Sequence, residues 1–321
     1  MSAQKENVSI GLSAAILAVE GERPSVLVVA HEGVADALPF GPFDPVQHRT
    51  LESGLRQWVS EQTGFELGYA EQLYTFGDKG RHLSAPGGGR VVSVGYLALT
   101  RQTSVEKPRD ANTEWRGWYQ YFPWEDWRDQ KPPMIDSMIL PALKHFVKDA
   151  PAGLGELRRE RVNLCFGESW NEERVLERYE LLYEAGLVEE FYRDSGQSNK
   201  QSSSKASGLG TPMLFDHRRI LATAIARLRG KLKYRPVVFE LMAPTFTLLE
   251  LQRAVEALAG LRLHKQNFRR LVAEQGLVEG TGKFSASARG RPAELFRFRR
   301  EVLRERPAPG VRLGARRVRL S

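Results

Sequence analysis

Apolar positions along the chain change period between its first and second halves. Residues 8 to 19 and 26 to 31 are dense apolar runs flanking Gly21-Glu22-Arg23-Pro24, which predicts two strands paired about a turn, and residues 91 to 99 predict another strand. Between them, residues 51 to 62 predict a helix that Gly64 can stop, because glycine takes up the left-handed backbone of a helix end at little cost. Later the period is helical. Val175, Leu176, Tyr179, Leu182 and Tyr183 share one face of a helix expected over 170 to 186, with Gly186 as its stop. Ile220, Leu221, Ala224, Ile225 and Leu228 share a face of a second helix, which Asp216 can cap. Neither amphipathic helix has an obvious local partner, so dimer formation and packing on their own domain both stay open. Residues 195 to 210, rich in Gln, Ser, Gly and Lys, cannot bury a core and are expected to form a mobile loop.

The pattern is most informative from Thr247 to Phe298. Thr247 and Glu250 have the spacing of a capping box, and Leu248, Leu249, Leu251, Val255 and Leu258 then recur at helical spacing up to Gly260. Only Leu261 to Leu263 separate this helix from another beginning near His264, whose Phe268, Leu271 and Val272 face inward and which Gly276 closes. A basic hairpin follows, with a Gly- and Ser-rich tip holding Lys283, Arg289 and Arg291 and a return strand from Leu295 to Phe298. Two helices, a tight turn and a basic hairpin are the plan of a winged helix-turn-helix. The second helix would then read DNA through Lys265, Gln266, Asn267, Arg269 and Arg270, a set that includes side chains able to pair bidentately with base edges. The competing reading is a helical hairpin with a solvated charged face.

Charge supports the DNA reading. The net value of +8 conceals 24 Lys and Arg against 9 Asp and Glu in residues 212 to 321, and 23 against 30 in residues 1 to 211. A basic module beside an acidic one is the footprint of a chain that meets phosphate with one half, although RNA would attract the same surface. At 321 residues and 41% apolar content the chain can hold two domains and a connector. The lone Cys165, between Leu164 and Phe166, excludes an intrachain disulfide and is read as a buried side chain rather than a reactive thiol. No run approaches a membrane span or a secretory leader, so a cytoplasmic location without membrane contact is expected.

The order of elements in the first 150 residues, with a loop starting Leu38-Pro39-Phe40-Gly41 before the helix, resembles a Nudix domain. The Nudix box places Arg-Glu and Glu-Glu pairs on its helix, ahead of a closing glycine, to hold divalent metal at a diphosphate. Counting back from Gly64 puts Gln57 and Trp58 at the first pair, Glu61 and Gln62 at the second, and Arg49 where the upstream acid belongs. One helical carboxylate is a poor site for a cation that prefers several hard oxygens, so no metal and no catalytic residue is expected. Asp44, Glu52 and Glu66 are the alternative oxygen donors. The expected remnant is a nucleotide pocket. Tyr74, Phe76, Arg81, Arg90 and Trp118 are its candidate ligand residues, as aromatic surfaces and guanidinium forks suited to adenine, ribose and pyrophosphate. Gly87 to Gly89 can cradle phosphate or form a plain hairpin loop. Trp115, Trp118, Tyr119, Trp124 and Trp127 can stack on a base or fill a core.

The Nudix-like half combined with Leu214-Phe215-Asp216-His217-Arg218, Leu228-Arg229-Gly230-Lys231-Leu232, Tyr234-Arg235-Pro236-Val237 and Asn267-Phe268-Arg269-Arg270 resembles the NrtR family of Nudix-related transcriptional regulators, and among them the alphaproteobacterial NadQ type. The resemblance implies an α+β chain in which an N-terminal Nudix-like α/β/α sandwich is followed by a C-terminal winged helix-turn-helix. Its expected parts are a sensing domain over 1–150, a helical connector and flexible linker over 151–211, the DNA-binding domain over 212–305 and a basic tail over 306–321. It implies a homodimeric repressor of NAD biosynthesis genes that binds double-stranded operator DNA and senses NAD, ATP or ADP-ribose. The alternatives are an active hydrolase of ADP-ribose or NAD with an accessory DNA-binding domain, and a nucleic-acid-binding scaffold without ligand control.

Overall fold

A mixed sheet with helices on both faces forms the N-terminal half. The computed structural model describes residues 8–30, 35–78, 90–101, 112–196, 208–285, 292–305 and 310. Strands β1 (Val8–Glu20), β2 (Arg23–Val29), β3 (Phe40–Pro42), β4 (Tyr69–Phe76), β5 (Arg90–Leu99) and β6 (Thr113–Gly117) make one sheet in the order β4-β5-β1-β2-β6, with β3 also paired to β1. β1 runs parallel to β5 and antiparallel to β2 and β3. Its side chains alternate between two cores. Leu12, Ala14 and Ile16 meet Leu55 and Val59 of α1 (Leu51–Thr63), while Ala15, Leu17 and Val19 join a larger core on the opposite face.

The box helix α1 is delimited by local chemistry. Thr50 and Ser53 form a reciprocal capping box at its start, and Gly64, at φ 74°, closes it. The opposite face of the sheet carries helices that the sequence pattern shows only in part. They are α2 (Leu140–Lys148), entered through a wider π turn at Ile135–Ile139, α3 (Gly155–Phe166), α4 (Val175–Glu184), α5 (Glu189–Asp194) and α6 (His217–Tyr234). The expected helix over 170–186 begins only at Val175, and α6 runs past Leu228 to Tyr234. Asp216 precedes α6 without capping it through its side chain, and its carboxylate instead meets Arg219 at 3.2 Å. Both α4 and α6 spend their apolar faces on this chain's own core, where Val175, Leu182, Ile220, Leu221 and Leu228 are wholly buried. Packing thus accounts for their amphipathicity without a dimer.

The C-terminal module comprises α7 (Val238–Leu241), α8 (Leu248–Ala259), α9 (Lys265–Gln275), the hairpin β7 (Val278–Phe284) and β8 (Glu294–Phe298), and α10 (Val302–Glu305). Thr247 and Glu250 cap α8 reciprocally, at 3.2 and 2.7 Å, and Gly260 and Gly276 end α8 and α9 in the left-handed conformation. Phe246 exchanges two backbone hydrogen bonds with Phe296, which ties the segment ahead of α8 to the wing. The ring of Phe239 stacks on Phe298 at 4.3 Å. No helix among the described residues is long and apolar enough to cross a membrane.

Candidate nucleic-acid interface and sensor site

Phe268 and Val272, 2% and 1% exposed, pin α9 to the core. That anchoring turns Lys265, Gln266, Asn267, Arg269 and Arg270 outward in the first half of the helix, all of them exposed. A recognition helix uses this end to reach base edges. Arg270 makes only a long contact to Glu274, 3.8 Å between exposed groups. Lys283 is exposed on β7, so α9 and the described part of the wing present cations together. Arg289 and Arg291 lie outside the described residues.

Much of the charge asymmetry is internal. Along α6, Arg218 pairs with Glu190, Arg219 with Glu180 and Asp78, Lys231 with Glu71, Lys233 with Glu172 and Glu173, and Arg229 with Glu125. Arg253 and Arg262 both reach Glu22 in the turn between β1 and β2, at 3.3 and 2.9 Å. The basic and acidic halves therefore neutralise each other along their seam. The cations on α9 and β7 are among the part of that excess turned to solvent.

The family-like string at 214–218 works as a bracket on the sheet domain. Phe215 holds a left-handed φ of 51°, uncommon for a residue with a bulky side chain, and its ring meets Phe40 at 5.4 Å and His217 at 5.3 Å. His217 Nδ1 accepts from the Leu38 amide at 3.1 Å. Arg218, 1% exposed, donates to Tyr121 O, to Leu209 O and to Glu190.

On α1, the altered box positions are occupied by contacts within the protein. The Trp58 indole lies against Gly41 so closely that a Cβ on that glycine would sit 2.2 Å from Cδ2, and its Nε1 donates to Pro42 O at 2.8 Å. Gln62 clamps the Phe40 backbone, accepting from its amide at 3.1 Å and donating to its carbonyl at 2.6 Å. Glu61 accepts from Gln57 at 2.8 Å. Asp44 takes the Val46 amide, Glu52 pairs with Arg56, and Glu66 accepts from Ser60 Oγ. Among the described residues no three His, Cys, Asp or Glu side chains gather as metal ligands.

The candidate ligand set divides. Tyr74 is 62% exposed on the edge strand β4, and Arg90, exposed at the start of β5, donates to Gly77 O. Phe76 and Trp118 are corrected out of the set. Both close into the core at 1% and 0% exposure, because the helices of the far face cover them, and neither offers a ring to a ligand. Arg81 and Gly87 to Gly89 lie outside the described residues. Open cavities of about 490 and 550 Å³ flank Asn171 and Arg174, between α3, α4 and α6, and contain none of the expected ligand residues. Cys165 is 3% exposed, and burial pushes its thiol up, so it is an inert core residue.

A buried charged cluster at the junction carries no signal in the sequence pattern. Glu125 receives Arg178 at 2.5 and 2.8 Å and Arg229 at 2.6 Å, and none of the three side chains is more than 1% exposed. The Arg178 guanidinium also lies 3.7 Å from the centre of the Trp170 ring. Burial alone would raise the Glu125 carboxyl, but the two guanidiniums more than offset it and hold the group below the usual carboxylate range.

Comparison with known proteins supplies a frame for these features. A family model described as the NrtR DNA-binding winged helix domain matches residues 238–298. The chain is 38% identical over 120 residues to a protein of Acinetobacter baylyi described as an ADPR responsive transcriptional repressor, NtrR. That match covers 37% of this chain and 48% of the relative, so the chain spans about half the length of the curated relative it matches. Among solved structures, Shewanella oneidensis NrtR complexed with a 27mer DNA matches at 21% identity and a TM-score of 0.51, over 91% of this chain and 94% of that one. A MutT/nudix family protein of Enterococcus faecalis matches at 16% identity and a TM-score of 0.50, over 93% and 89%. At such identities these two likenesses establish the fold. Residues 238–298 thus match the NrtR winged helix domain, and the chain joins that module to a Nudix-like fold.

Proposed function

We propose that the chain is a transcriptional repressor that binds operator DNA through α9 and the wing, and whose Nudix-like domain receives ADP-ribose or a related adenine nucleotide instead of hydrolysing it. The A. baylyi relative's description as ADPR responsive supports the effector class. The observation that carries the receptor reading is the box itself. Trp58 covers Gly41 and Gln62 grips Phe40, so two positions that supply metal-binding acids in a hydrolase are spent on neutral contacts holding β3 to α1. Tyr74 and Arg90 are the ligand contacts we retain. Lys265, Gln266, Asn267, Arg269, Arg270 and Lys283 are the DNA contacts. A homodimer presenting two α9 helices to two half-sites fits a helix-turn-helix reader, and NAD biosynthesis genes are the targets that the family resemblance implies.

The test uses purified protein with ADP-ribose, and with NAD and ATP as separate arms. A ligand that binds only the folded state stabilises it by about 2.7 kcal/mol at a hundredfold excess over Kd. The expected result is a raised melting temperature with ADP-ribose in the presence of EDTA, and no AMP released from ADP-ribose or NAD when magnesium is supplied. Magnesium-dependent release of AMP would establish the hydrolase reading in its place. No shift with any of the three nucleotides would leave a DNA-binding scaffold without ligand control.

A further inference from the structure

The turn that introduces α9 is held from outside its own module. Tyr119 Oη donates to Ala257 O at 2.7 Å, Arg229 Nε to Leu258 O at 3.0 Å, and the Trp127 amide to Gly260 O at 2.8 Å. Carbonyls at the end of a helix lack internal partners, and a guanidinium there also complements the negative end of the helix dipole. Gly260 permits the approach, since at φ 72° a Cβ would lie 2.4 Å from Glu125 O and 2.9 Å from Tyr119 Oη. Beyond the turn, Glu256 accepts from the Leu263 amide at 2.9 Å and from Arg262 at 3.0 Å. The residues that lead into α9 are thereby tied back to α8, whose end the cluster holds.

Two tracks run back from this grip to the C-terminal end of α1. Along the first, Thr113 Oγ1 donates to Gln62 O at 3.2 Å, and β6 continues from Thr113 directly into the segment that carries Tyr119, Glu125 and Trp127. Along the second, the Gln62 amide clamps Phe40, whose ring packs on Phe215 and His217 at the start of α6, and α6 carries Arg229. Both tracks meet at Glu125. There Arg229 has no slack, since its guanidinium also donates to Glu172 O and to Tyr119 Oη. An unpaired buried guanidinium is costly, so a movement of Glu125 draws Arg229 and the end of α8 with it.

We propose that the 118–127 segment, Arg229 and the α8 carbonyls at 257, 258 and 260 form the relay through which the end of the altered box sets the angle of the recognition helix. This inference rests on the nucleotide-sensing reading above. Tyr119, Glu125 and Arg229 are positioning residues and touch neither nucleotide nor DNA.

The experiment measures, in the full chain, the Kd for a duplex selected by the protein from a random-sequence library, with and without ADP-ribose, and hydrogen exchange at residues 257–264. Tyr119→Phe removes one donor and leaves the ring, and Arg229→Lys keeps the charge but loses the fork. Effector coupling typically changes affinity about 5- to 150-fold. In both variants that ratio is expected to fall below about 3-fold, while the nucleotide Kd and the ligand-free DNA Kd each stay within about 3-fold of wild type, and exchange at 261–264 quickens. A wild-type ratio in both variants overturns the relay, whatever the exchange shows. If the unmodified protein responds to none of ADP-ribose, NAD and ATP, the sensing reading fails by itself. The grip is then judged on exchange alone, where quicker exchange upholds it and unchanged protection overturns it.

Discussion

Replacing Arg269 and Arg270 together by alanine is expected to weaken duplex binding by about 2–6 kcal/mol, or roughly 30-fold to roughly 25,000-fold, if each makes one good bidentate contact. The free protein has little to lose at either site. Arg270 has only the exposed 3.8 Å contact to Glu274, and surface ion pairs of that kind contribute roughly 0–1 kcal/mol. Stability of the double variant is therefore expected to stay within about 0.5 kcal/mol of the parent. Salt dependence separates the possible roles. A lost phosphate contact weakens binding to all sequences alike and lowers the salt slope by about one, whereas a lost base contact relaxes specificity at one position. Unchanged DNA affinity in the double variant would move recognition away from α9.

Glu125→Ala is expected to be the most destabilising single change in the junction, by about 3–5 kcal/mol, because it strands two guanidiniums away from water. Urea unfolding at neutral pH reads the loss. A loss below about 1 kcal/mol would mean that water reaches the cluster and replaces the carboxylate. The pH dependence has a definite sign. The folded carboxyl is held below its ordinary range, so its contribution is fully present above the unfolded pKa and is lost as pH falls through the folded one. The difference between parent and variant should stay constant from pH 8 to about 5 and close only below that.

Local signals made the output end readable. Thr247 with Glu250, then Gly260 and Gly276, are stop and start devices whose chemistry lies within a few residues of sequence, and each forms the expected cap. The dense runs at β1, β2 and β5 were equally plain, since strands buried on both faces need apolar side chains nearly throughout. Burial among aromatic residues was not readable. Phe76 and Trp118 have the composition of a stacking platform, and only the packing of helices over that sheet face turns them into core. Nor does the sequence distinguish Arg229, locked against Glu125, from Arg269, turned to solvent. Both are arginines in helical segments, and the partner that separates them lies more than a hundred residues away. The family-like string at 228–232 carried that information only as a resemblance. Its physical content is that Arg229 reaches Leu258 and Lys231 reaches Tyr69 and Glu71, which bind α6 to both halves of the chain.

The internal pairing along α6 also changes the expected salt response. Counting all 24 cations of residues 212 to 321 would overstate the phosphate contacts, because those of α6 and the pair facing Glu22 are already spent on acids of the N-terminal half. The slope should reflect α9 and the wing.

The most direct test of the account is fluorescence anisotropy of a library-selected duplex titrated with the full chain at one fixed salt concentration, with and without saturating ADP-ribose and with EDTA throughout. The account predicts that the DNA Kd shifts by at least about 5-fold, in either direction, with no divalent cation present. An ADP-ribose-insensitive Kd, accompanied by magnesium-dependent release of AMP from the same preparation, would contradict it.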